Sequence, residues 1–124
     1  MEILSEQLVK DAIVGAIEGG SNYWYYMPEV SINHVRYKAS KEDFPCFSEA
    51  LGEAVYKGGE IIVRDAEDDN EVLGTLSIES INKGLYRMVS EGREELADMR
   101  EGNDDAETHD VLFQYFVMGE IVFG

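Results

Sequence analysis

The chain has 124 residues, 44% of them hydrophobic, and its 26 acidic side chains against 10 basic ones give a formal net charge of −16. The length suits one domain of about 100–150 residues, and the apolar content argues against disorder of the whole chain. The charge argues against direct nucleic-acid binding and disfavours anionic membranes, since both call for a basic face.

Three readings of the charge stay open: plain solubility, a partner with a basic surface, or imitation of a phosphate backbone. The opening segment Met1–Lys10 carries Glu2 and Glu6 and no long apolar run, unlike a secretory signal. No stretch approaches the roughly 20 apolar residues that cross a bilayer, so a cytoplasmic protein is expected. A domain this small often gains stability by self-association, which leaves a homo-oligomer open. The single cysteine, Cys46, can form no internal disulfide and no Cys-rich zinc site; beside Phe44, Pro45 and Phe47 it reads as a small apolar filler.

In chain order, Leu4, Leu8, Val9, Ala12, Ile13, Ala16 and Ile17 form one stripe of an amphipathic helix. Ser5 is its candidate N-cap and Gly19-Gly20 its stop. Gly15 inside it costs about 1 kcal/mol relative to alanine, which points to a backbone packed closely against it. The aromatic stretch Asn22–Met27 favours a strand that Pro28 ends. A second extended stretch, Val30–Tyr37, puts Val30, Ile32, His34 and Arg36 on one phase and Val35 and Tyr37 on the other. These two stretches are expected to pair as a hairpin.

Phe47, Ala50, Leu51, Ala54 and Val55 mark a second helix, stopped by Gly58-Gly59. The runs 60–64 and 72–76 flank an acidic loop and predict a β-hairpin. Ser77 caps a third helix with Ile78, Ile81, Leu85, Met88 and Val89 on its stripe. From Glu91 to Asp110 the chain holds nine acids and two arginines, with a turn at Gly102-Asn103. Asp104 or Asp105 starts a fourth helix whose face carries Val111, Leu112, Tyr115 and Phe116, and Gly119 ends it. Ile121-Val122-Phe123 predicts a short last strand. The sum is a single α+β domain: a small antiparallel sheet packed with about four helices.

No residue set defines an active site. The only histidines, His34 and His109, are far apart and sit in no motif, His34 as an ordinary strand residue and His109 at an exposed helix position. The loop Asp65-Ala66-Glu67-Asp68-Asp69-Asn70-Glu71 fails as an EF-hand: its sixth position is Asn70 where glycine is needed, and its twelfth is Leu76 where glutamate is needed. A solvated hairpin tip remains. The segment Glu18-Gly19-Gly20-Ser21-Asn22 lacks the lysine and the preceding strand of a phosphate loop. No cofactor or metal is expected.

Two sets of residues look specialised. The first is Glu18, Gly19, Gly20 and Asn22 with the aromatics Tyr23, Trp24, Tyr25 and Tyr26, together with Gln114 and Glu120 near the end. Its aromatics either pack the sheet and core or present a binding face. The second is acidic: Asp65, Glu67, Asp68, Asp69 and Glu71 in the loop, then Glu94, Glu95, Asp98, Glu101, Asp104, Asp105 and Glu107. Carboxylates spaced along helices and loops can imitate DNA phosphates; they can equally be a solvated face.

Two quoted segments carry a resemblance. Ala16-Ile17-Glu18-Gly19-Gly20-Ser21-Asn22-Tyr23-Trp24 and the ending Gln114-Tyr115-Phe116-Val117-Met118-Gly119-Glu120-Ile121-Val122-Phe123-Gly124 resemble a loose family of short proteins from bacteriophages, prophages and conjugative elements. The family's marks look like A-[IL]-E-G-G-x-x-Y-W and Q-Y-x-x-x-G-E-I-V-[YF]-G. Gly58-Gly59 followed by a strand, hairpin and helix looks similar too. The resemblance implies a setting, the bacterial host cytoplasm, and no reaction. Small proteins of such elements often counter host defence by blocking a CRISPR or restriction nuclease, or by sequestering a nucleotide signal.

The leading expectation is therefore a non-enzymatic inhibitor of a host defence protein with a basic surface, such as a nuclease complex. The alternatives are a small-ligand or nucleotide-signal binder, with Arg36 or Lys38 brought in by the fold, or an accessory phage protein.

Overall fold

The run Val111–Met118 is the most apolar stretch of the chain, and in the computed structural model it becomes the axis of the fold. The structure describes residues 6–17, 24–26, 29–32, 35–38, 51–52, 55–68 and 71–123. Its elements are α1 (Glu6–Gly15), β1 (Tyr25–Tyr26), β2 (Glu29–Ile32), β3 (Val35–Lys38), β4 (Ile61–Asp65), β5 (Val72–Leu76), α2 (Ile78–Ser90), α3 (Glu95–Glu101) and α4 (Ala106–Met118). Helix α4 buries Leu112, Phe113, Gln114, Tyr115, Phe116 and Val117 in succession. A helix covered on all sides is a core helix, and α1, α2, α3 and β5 all pack on it.

That enclosure depends on close approach at glycines. A Cβ on Gly84 of α2 would lie 2.2 Å from the Tyr115 carbonyl oxygen, and one on Gly74 of β5 would lie 2.3 Å from the Val117 carbonyl oxygen. On α1 the expected backbone neighbour of Gly15 is instead a side chain. A Cβ there would meet the His109 ring, 2.2 Å from Nδ1.

The expected hairpin joins β4 and β5, with Ile61 opposite Leu76, Ile62 opposite Thr75 and Val63 opposite Gly74, then a bulge before Arg64 opposite Val72. Ile61, Val63 and Leu76 face the core while Ile62 and Val72 face solvent, the alternation of a half-covered sheet. At the tip the Asp65 carboxylate accepts the Glu67 N–H at 2.7 Å and the Asp68 N–H at 3.3 Å. Such a turn satisfies backbone donors locally.

The other pairing differs from expectation. Tyr25 and Tyr26 pair antiparallel with Asp65 and Arg64, so β1 joins β4 at the sheet edge, giving the order β1-β4-β5. The Val30–Tyr37 stretch folds on itself instead, with Val30 opposite Tyr37 and Ile32 opposite Val35. Its change of phase between Ile32 and Val35 is the mark of two short strands. A single continuous strand keeps one phase.

Ser77 caps α2 as expected: its Oγ accepts the Ser80 N–H, and the Ser80 Oγ accepts the Ser77 N–H in return. Ile81, Leu85 and Met88 are buried, but Val89, expected on the same stripe, is exposed. Gly102 closes α3 in the left-handed conformation, and Asp105 caps α4 through the Thr108 N–H. Leu51 and Val55, from the expected second helix, are helical and buried; Phe47, Ala50 and Ala54 lie outside the described residues, as do Cys46 and His34. Residues 121–123 belong to neither sheet. Among the described residues no helix is long and apolar enough to cross a membrane.

Candidate functional site

Trp24, from the first specialised segment, meets Gln114's neighbours Asp110 and Phe123 inside the molecule. At the start of β1, Trp24 and Tyr25 are only 2% and 6% exposed. The Trp24 indole N–H donates to Asp110 Oδ1 at 2.8 Å, and its ring stacks on Phe123 with centroids 5.4 Å apart at 13°. Phe113 and the edge of Tyr25 complete its surroundings. The binding-face role weighed for Trp24 and Tyr25 thus gives way to core packing, because a ring with a buried hydrogen-bond partner and aromatic neighbours is already saturated.

Gln114, one turn after Asp110 on α4, is also fully buried. Its Nε2 donates to Asp110 Oδ2 at 3.2 Å and to the Phe123 carbonyl at 3.0 Å. Its Oε1 accepts the N–H groups of Val122 and Phe123, both at 2.9 Å. The ending expected as a strand is therefore held by one side-chain amide. The small-ligand reading grouped Glu18, Gly19, Gly20, Asn22 and Trp24 near Gln114 and Glu120; of these, Trp24 is stacked on Phe123 and Gln114 is bonded to Asp110, Val122 and Phe123. Glu120 is exposed at the start of this tail. Glu18, Gly19, Gly20, Asn22 and Tyr23 lie outside the described residues, as does the side chain of Tyr26.

No family model, curated protein or solved structure matches this chain. The terminal motifs are accordingly read from what they do in this fold. Trp24 and Gln114 converge on Asp110, a residue that sequence reasoning counted only as one acid in a run. Its signal was positional: Asp110 and Gln114 sit one turn apart where α4 passes into its buried stretch, and an acid and an amide at that spacing can satisfy each other.

The remaining polar groups near the core are also engaged. His109, expected to be exposed, is half-buried against Gly15, with Nε2 at 2.6 Å from Asp104 Oδ2. The buried Tyr115 donates its hydroxyl proton to Glu91. That bond, with help from Arg87, holds the Glu91 carboxyl below the usual carboxylate range. The Thr108 backbone N–H and hydroxyl do the same for Asp105.

Burial pushes the hydroxyls of Tyr25 and Tyr115 upward, and Glu91 adds to the effect at Tyr115. An acid whose folded value is raised favours the folded state up to its unfolded value, about 10 for tyrosine, and that contribution is lost as pH rises through the folded value. In an alkaline titration, these two of the seven tyrosines are expected to gain tyrosinate absorbance only together with loss of near-ultraviolet circular dichroism. Their ionisation at about pH 10 in a still-folded protein would contradict the buried placement.

The acidic run separates into two groups. Glu91, Glu95, Asp104, Asp105 and Asp110 hold internal partners: Tyr115, Arg93, His109, the α4 cap and Trp24 with Gln114. Glu94, Glu101 and Glu107 are exposed and Asp98 is half-buried. Helix α3 is anchored beneath them by buried Leu96 and Met99. In the hairpin loop Glu67, Asp68 and Glu71 are exposed, Asp65 is spent on the turn, and Asp69 lies outside the described residues.

Proposed function

We propose that this chain is a non-enzymatic binding protein of a phage or other mobile element, which inhibits a host defence protein by presenting carboxylates to a basic surface. A nucleic-acid-binding groove of a CRISPR or restriction nuclease has the complementary chemistry. The observation that carries this reading is the position of Glu94, Glu101 and Glu107. All three are exposed on the α3–α4 segment, which is fixed by Leu96 and Met99 below and by the Gly102 and Asp105 caps. Charges held on a packed scaffold lose little entropy when a partner arrives.

The test begins with a pull-down of the tagged protein from a bacterial lysate, washed at low and at high salt and read by mass spectrometry. A captured nuclease whose retention falls with salt is the expected result. Against that partner, Glu94→Gln/Glu101→Gln/Glu107→Gln is expected to weaken binding roughly tenfold or more, chiefly through the association rate. The melting temperature should hold or rise, since removing like charges from a chain of net charge −16 relieves repulsion. Unchanged affinity in the triple variant would refute the electrostatic mechanism.

A further inference from the structure

We infer that the exposed face of α2 is a dimer interface, on which a second copy of the chain docks antiparallel through Tyr86 and Val89. This inference does not rest on the inhibitor reading.

Helix α2 turns Ile81, Leu85 and Met88 inward and closes on α4 at Gly84, so its inner face is fully engaged. Its outer face keeps two large apolar side chains in solvent. Tyr86 is 73% exposed and Val89 is 55% exposed, and at i and i+3 they are neighbours on the helix surface. Asn82 and Glu79, both exposed, continue the same stripe toward the start of the helix. A lone exposed apolar residue calls for no explanation; these two adjoin, and the charges around them define what fits. Tyrosine suits a contact surface, since its ring gains by burial while its hydroxyl keeps a polar partner.

Of α1 to α4, only α2 carries more bases than acids, with Lys83 and Arg87 against Glu79. In a chain of net charge −16, acidic faces repel a second copy and this face does not. Its charges are also ordered, with Glu79 in the first turn and Arg87 in the last. Two such faces related by a two-fold axis and running antiparallel bring Glu79 of each copy toward Arg87 of the other, twice per interface. The two helix dipoles oppose in the same arrangement. A uniformly basic partner would set like charge against Lys83 and Arg87, and an acidic one would do the same to Glu79. A second copy satisfies both signs.

Within one copy these groups pair along the helix. Lys83 Nζ lies 3.2 Å from Glu79 Oε1, and Arg87 Nη2 lies 3.4 Å from Glu91 Oε1. Exposed pairs of this kind contribute little, so trading a partner on the helix for one across the interface costs little. One helix face per copy is a small interface, and a weak dimer is expected, with Kd of roughly 10–100 µM.

Sedimentation equilibrium of the full chain over roughly 10 µM to 1 mM, at about 0.15 M salt, tests this. The unsubstituted protein is expected to pass from monomer to dimer and stop there, while Tyr86→Ser/Val89→Ser stays monomeric throughout. Both side chains are exposed, so that variant should keep the parent circular dichroism. Charge exchange reads the antiparallel pairing. Glu79→Lys and Arg87→Glu are each expected to weaken self-association roughly tenfold, since each sets like charges together at both ends of the interface. An equimolar mixture of the two variants should restore dimerisation, because the mixed pair again opposes unlike charges at both ends. A monomer at the highest concentration would overturn the proposal, as would a dimer that survives Tyr86→Ser/Val89→Ser. So would a mixture no stronger than its components, or single reversals without effect. Growth beyond the dimer would also overturn it, by showing a head-to-tail contact between α2 and an acidic face.

Discussion

Gly84→Ala is expected to destabilise the protein by about 3 kcal/mol, the upper end of the usual range for overpacking. The sign is not obvious from the sequence, because alanine in the middle of a helix gains about 1 kcal/mol over glycine. Crowding decides it. The new Cβ would stand 2.2 Å from the Tyr115 carbonyl oxygen and 2.6 Å from its carbon. These are backbone atoms of the central helix, so relief requires α2 and α4 to separate. Neither can swing aside as a side-chain tip would.

An internal control exists at Gly52, another buried helical glycine, whose added Cβ would find its nearest neighbour at 3.7 Å on Lys10. Gly52→Ala is therefore expected to be neutral or stabilising by up to about 1 kcal/mol. Denaturant unfolding should lower the midpoint for Gly84→Ala and hold or raise it for Gly52→Ala, both at unchanged slope. A midpoint for Gly84→Ala at or above that of the parent chain would mean that α2 and α4 do not pack backbone to backbone.

Local order in this fold was legible from local pattern. The caps at Ser77 and Asp105, the turn at Gly102, the stop at Gly119 and the hairpin around residues 65–71 all follow from residues a few positions apart, although the separate helix α3 that Gly102 closes was not expected. What sequence periodicity could not supply was the non-local pairing. Tyr25 and Tyr26 sit beside Arg64 and Asp65 across about forty intervening positions, and nothing in an aromatic stretch names its partner strand.

The candidate site was legible in its members and obscured in its meaning. Trp24 and Gln114 stood out on sequence, yet they read as possible ligand contacts because their common partner was hidden among acids. The run from Glu91 to Asp110 looked uniform by composition, while the fold divides it by the direction each side chain takes from α3 and α4. Isolated glycines within elements were the overlooked signal. Gly15 was noticed for its cost, but Gly74 and Gly84 mark the same thing: another chain segment passing where a methyl group would be.

Asp110→Ala is the second large effect expected, a loss of about 3 kcal/mol. A buried carboxylate is no stabiliser in itself, since its desolvation offsets much of what its bonds contribute. Its removal is costly because of what it leaves behind. The Trp24 indole N–H loses its acceptor in a fully packed setting, and Gln114 loses the bond that sets the plane of its amide. Asp110→Asn separates these two consequences. Its remaining carbonyl oxygen can still accept from Trp24, but its amino group then faces the Gln114 Nε2 donor. Gln114 cannot turn over to accommodate it without abandoning the Val122 and Phe123 N–H groups. The asparagine variant should therefore lose about 1 kcal/mol of global stability while showing markedly faster hydrogen exchange at Val122 and Phe123. A negligible loss for asparagine beside the full loss for alanine, with the Val122 and Phe123 amides unchanged in the asparagine variant, would mean that Asp110 supports Trp24 alone and that residues 121–123 are positioned by the aromatic stack.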